Sequence, residues 1–184
     1  VSADHGLFEH ILAHDFLCKF RSENVISLRN PTCQIFRDTL ERMRRMCKKR
    51  GFLFVYLCTH VVEIKSKAYK NENCFIAMKD TTWNNSEKAA TTSIPLAEFA
   101  YCLNQIGCER KVITFNFAHF DAIPRSSFKS RYVYPPMDCL TRLADMSKCT
   151  VLASCNIGSA IADMKSHTPV KPVVADGRRG ALRV

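Results

Sequence analysis

The residues FLFVYLC, 52–58, run without a polar interruption and without alternation. A strand with one wet face alternates apolar and polar side chains. One covered on both faces does not, and such strands belong to parallel sheets packed under helices. Two more runs read the same way, KVITFNFA at 111–118 and CTVLASC at 149–155. Between them the apolar period changes. Leu96, Phe99, Ala100, Leu103 and Ile106 recur at three- and four-residue spacing up to Gly107, and Met137–Ser147 also reads as helix. Strand and helix in alternation predict an α/β fold: a mostly parallel sheet with helices on both faces.

Working outward, Leu7–Phe20 has helical spacing behind Asp4 as an N-cap, and Asn24–Leu28 reads as a short strand. Asn30-Pro31 breaks it, and Thr32 caps a second helix. There Ile35, Phe36, Leu40, Met43 and Cys47 share one face, Arg37, Arg42, Arg44, Arg45 and Lys48 point to solvent, and Gly51 ends the helix. Cys74–Lys79 is a shorter strand, Asp80–Ser93 a polar loop, 121–136 a proline-bearing loop and Ile157–Lys165 a last helix. The expected division is one domain over residues 1–165 and a basic extended tail over 166–184.

The chain has 184 residues, 47% of them hydrophobic and 24% charged, which suits one domain with a sizeable core. Six glycines and no short repeat exclude collagen and coiled coil, and apolar runs of about seven residues cannot span a bilayer. The net charge of +10 is local: Arg37–Arg50 holds +5 and Lys165–Val184 holds +4. Arg42, Arg44, Arg45, Lys48, Lys49 and Arg50 are therefore a candidate surface for an acidic protein, RNA or anionic lipid, against the plainer reading of a solvated helix face. No aromatics interleave with them, which argues against base stacking. The first residue is Val1, as expected of a processed protein or a piece of a longer one.

Ten cysteines occur without a CxxC pair or zinc-finger spacing, so no metal is expected, and no cofactor either. Cys139 and Cys149 are a weak disulfide candidate; the other thiols read as small hydrophobes in a reducing compartment. The sequon at Asn84-Asn85-Ser86 is then coincidental. His5, His10 and His14 gather on the first helix with nothing to complete a metal site.

In parallel α/β sheets chemistry gathers beyond the carboxyl ends of strands. Those ends read Cys58-Thr59-His60-Val61 and Asn116-Phe117-Ala118-His119-Phe120. Their order and spacing resemble the caspase and metacaspase clan of cysteine peptidases, whose "vyfSGHG" strand presents the catalytic His and whose later "DACHSG" strand presents the nucleophilic Cys. NVISLRNPTCQIFRDTLERM, TSIPLAEFAYCLNQIG and TVLASCNIGSA resemble further segments of that fold, so the likeness covers roughly residues 4–163. It implies a three-layer sandwich truncated at both ends, with the family's first strand missing or supplied elsewhere. His60 falls on the catalytic histidine, Ala118 on the nucleophile and Asn116 on the aspartate before it; Thr59 and Val61 replace the flanking glycines.

A methyl group can neither give up a proton nor offer a lone pair, so the resemblance implies a dead peptidase with His60 and Ala118 as vestiges. Cys58 and Cys155 are the thiols that would have to rescue it. The expectation is a structural or accessory subunit among other proteins of a larger assembly, mitochondrial and otherwise cytoplasmic. The rivals are an RNA-contacting protein of a mitochondrial ribosome or processing complex, and an active cysteine peptidase with a relocated cysteine.

Overall fold

The computed structural model describes residues 9–12, 14, 20–70, 73–117, 137–153, 173–176 and 181–183. Residues 1–31 and 32–184 are two compact units. In the first, residues 9–12 are helical and Ser22–Asn24 make a 3-10 turn. The expected helix over 7–20 does not hold His14, whose N–H reaches back only to the Ile11 carbonyl at 3.3 Å. Residues 25–28 are not the strand expected. Val25 is extended, but its N–H closes the 3-10 turn on the Ser22 carbonyl at 3.1 Å.

The second unit opens with helix α1, Cys33–Met46, and Thr32 caps it as expected, its hydroxyl accepting from Ile35 N–H at 3.3 Å. Cys33, Phe36 and Leu40 are buried, whereas Ile35 is 48% exposed. One residue is about 100° of helix, so Ile35 cannot share the face set by Phe36 and Leu40. The helix stops at Met46, before Gly51, because Cys47 turns extended at φ −75°, ψ 119°.

Strand β1, Phe52–Thr59, pairs in parallel with β5, Arg110–Phe117, and β5 in parallel with β6, Thr150–Ala153. Two short strands, β7 (Val173–Asp176) and β8 (Ala181–Arg183), extend the sheet antiparallel, in the order β1-β5-β6-β7-β8. The stretch expected as an extended tail therefore contributes two strands. A second, antiparallel sheet joins β2 (Val61–Glu63), β3 (Cys74–Ile76) and β4 (Ile94–Pro95). Helix α2, Ser86–Thr91, lies inside the expected polar loop, capped by Asn85, whose side chain accepts from Lys88 N–H. Helices α3, Leu96–Gln105, and α4, Met137–Ser147, fall where the sequence puts them.

The class is thus α/β, with three parallel strands, β1, β5 and β6, at one end of the larger sheet's strand order. On β5 the inward side chains Ile113 and Phe115 are fully buried, and the packing runs Phe36 to Phe99 to Phe115 at ring distances of 5.8 and 6.5 Å. One sheet face is therefore covered by α3, with α1 behind it. The other carries Phe52, Phe54, Tyr56 and Cys58 beside Arg110, Val112, Thr114 and Asn116, all exposed or half-buried among the described residues. The double burial expected for residues 52–58 is not seen: only Leu53 is closed off. Among the described residues β1 ends the strand order, and a strand there has one flanking neighbour to shield it. A smaller core under the antiparallel sheet joins Val62, Ile64, Phe75, Ala89 and Ala90, with Tyr69 and Trp83 against it.

Candidate functional site

Parallel pairing places the ends of β1 and β5 side by side: Cys58 is level with Asn116 and Thr59 with Phe117. On that face Asn116 Nδ2 donates to Tyr56 Oη at 3.0 Å, bracing the two strands near their carboxyl ends. His60 stands one residue beyond β1, at the point where the chain leaves the large sheet for the small one. Its carbonyl accepts from Ala77 N–H at 2.9 Å, and Thr59 Oγ1 donates to the Ala77 carbonyl at 3.4 Å. The Nδ1 atom of His60 is shut away from solvent.

Cys58 is exposed on the Tyr56 face. A shared face for Cys58 and His60 would require β1 to continue, but β1 ends at Thr59 and His60 belongs to neither strand. Ala118, His119, Cys155, His5, the 121–136 loop and the 157–165 helix lie outside the described residues. His10 and His14 meet edge to face at 5.6 Å, and the described residues hold no cluster of three metal-ligating side chains.

Arg42, Arg44, Arg45, Lys48, Lys49 and Arg50 are all exposed. Glu41 takes up two of them, bidentate to Arg44 at 2.7 Å and to Arg45 at 3.0 Å, and the Arg44 hydrogen bonds followed by those of Arg45 hold its carboxyl down at about 2. Arg37 is half-buried rather than directed wholly to solvent. It forks onto Glu98 of α3 at 2.6 and 3.1 Å. The sequence reading misses how far the surface extends. Glu109 N–H donates to the Lys49 carbonyl and Arg110 Nη2 to the Arg50 carbonyl, which docks the 48–51 turn on the start of β5. Lys148 precedes β6 by two residues, as Arg50 precedes β1. Exposed cations thus stand at the amino ends of three neighbouring strands.

The eight described cysteines are free thiols, and Cys139 and Cys149 are not joined. Burial, and after it the Asp80 carboxylate, pushes the Cys33 thiol up to about 11. Burial also raises Cys47, Cys102 and Cys149, which suits the expected role as small hydrophobes. Among the described residues no helix is long and apolar enough to cross a membrane. In comparisons with known proteins, no protein-family model and no curated protein matches this chain.

Proposed function

We propose that this chain is a caspase-like domain without peptidase activity that serves as a structural or accessory subunit of a larger, mitochondrial assembly. The observation that carries the reading is a juxtaposition. β1 and β5 are parallel neighbours with Thr59 level with Phe117, and the sequence puts His60 after the one and Ala118 after the other. A peptidase of that clan needs a base and a thiol at those two positions, and alanine supplies no nucleophile. In this reading the sheet is the middle of a three-layer sandwich, with further helices against the Tyr56–Asn116 face. An electrophilic peptide probe with Lys or Arg before its warhead tests it: no labelling is expected. Labelling of Cys58 or Cys155 that His60→Ala abolishes would make the protein a live peptidase. In native lysate the subunit is expected to sediment with a large complex; a free monomer contradicts the scaffold role.

The amino-end cations favour one second reading, contact with RNA phosphates. Lys48, Lys49, Arg50, Arg110 and Lys148 project from neighbouring strand starts, where spacing across the sheet is about 4.8 Å. Five neutralised phosphates on a single strand imply affinity falling roughly a hundredfold between about 50 and 200 mM salt. A salt-insensitive association points to a protein partner.

A further inference from the structure

We propose that Cys74 and Cys139 are a redox-active dithiol, which a hydroperoxide converts to a disulfide tying the small sheet to helix α4. Cys74 is the first residue of β3 and Cys139 lies in the first turn of α4, 65 positions away, yet their sulfurs stand 3.0 Å apart. Both residues are buried, at 2% and 6% exposure. A disulfide requires about 2.05 Å between sulfurs, so the pair must close by roughly 1 Å. Arg142 separates the roles of the two sulfurs, for its Nη2 donates to Cys139 Sγ at 3.4 Å. That guanidinium favours negative charge on the Cys139 sulfur, against the burial that keeps such thiols protonated. Cys139 is therefore the attacking thiolate and Cys74 the resolving thiol.

The step balances. The Cys139 thiolate attacks one peroxide oxygen, the O–O bond breaks, and a sulfenic acid forms with release of hydroxide. The Cys74 thiol then attacks the sulfenic sulfur, the S–S bond forms, and the sulfenic oxygen leaves as water with the Cys74 proton. Two thiols are oxidised and one peroxide is reduced. The inference is independent of any kinship with peptidases.

Its test uses the full chain, reduced and then exposed to equimolar hydrogen peroxide, with alkylation and peptide mapping. The expected product lacks two hydrogens, yields a Cys74–Cys139 linked peptide before any other, and is restored by dithiothreitol. In Cys74→Ser the sulfenic acid at Cys139 persists and is captured by dimedone. The proposal fails if Cys74 and Cys139 both remain alkylatable while other thiols are consumed, or if Cys139 pairs elsewhere in the wild type. It also fails if Cys74→Ser forms a disulfide from Cys139 at an undiminished rate. Mapping of the wild type decides the matter even if the variant does not fold.

Discussion

At the level of single residues, Lys111 shows how a charge can be buried to good effect. It is 7% exposed near the start of β5, and its ammonium donates to the Leu103 carbonyl at 2.7 Å and the Ser147 carbonyl at 3.5 Å. Those carbonyls belong to the last turns of α3 and α4, where helices carry negative potential; Ile106 N–H also donates to the first and Cys149 Sγ to the second. One cation thus finishes two helices. Lys111→Met keeps most of the stem and removes the donor, and should cost about 2–3 kcal/mol as two buried acceptors lose a partner. A lower urea midpoint with an unchanged slope checks this; a variant as stable as the parent would refute it. The linear sequence hides the role, because the two carbonyls lie 8 and 36 positions away. Thr32 was readable because its partner is three residues on.

Among the elements, those with room for a period were legible. Helices α3 and α4 and strands β1 and β5 announce themselves by spacing or by unbroken apolar length. In the small sheet β3 opens the run Cys74–Lys79 that reads as a strand, whereas β2 and β4, with three and two residues, are too short to show alternation. Helix α2 was hidden by polar neighbours, although the fully buried pair Ala89-Ala90 behind a capping Asn85 marks it. Strands β7 and β8 were missed despite Asp176-Gly177, a hairpin signal, because the basic composition of the segment suggested a tail. The candidate site was half legible: the strand ends and the helical cations could be read, but not the turn that joins them. That turn depends on Gly51, where an added Cβ would stand 2.8 Å from the Lys48 carbonyl. Gly51→Ala must open it, at a cost of about 1–3 kcal/mol. Faster amide exchange at Gly51 and Glu109, which bond to the turn, is the expected reading.

For the whole molecule, the buried thiols set a limit on the alkaline side. Cys33 on α1, Cys47 after it, Cys102 on α3 and Cys149 before β6 are all held in their protonated form by burial. Unfolded, each loses its proton near 9; folded, Cys33 keeps it to about 11. Between those values the unfolded chain binds fewer protons than the folded one, so stability falls as pH rises. It is complete below about 9 and is lost progressively toward about 11. Urea titrations under reductant at about pH 8 and pH 10.5 should show the midpoint dropping, and Cys33→Ser should blunt the drop. An unchanged midpoint would mean these thiols are not buried as described.

The register that sets Phe52 beside Arg110 also has a price during biosynthesis. Roughly sixty residues separate the two, so β1 leaves the ribosome some 3–12 s before its neighbour at typical elongation rates. For that interval seven consecutive apolar side chains have no sheet to join. A nascent chain from which β5 has not yet emerged should therefore be held by chaperones, and one long enough for residues 110–117 to clear the ribosome should begin to release them.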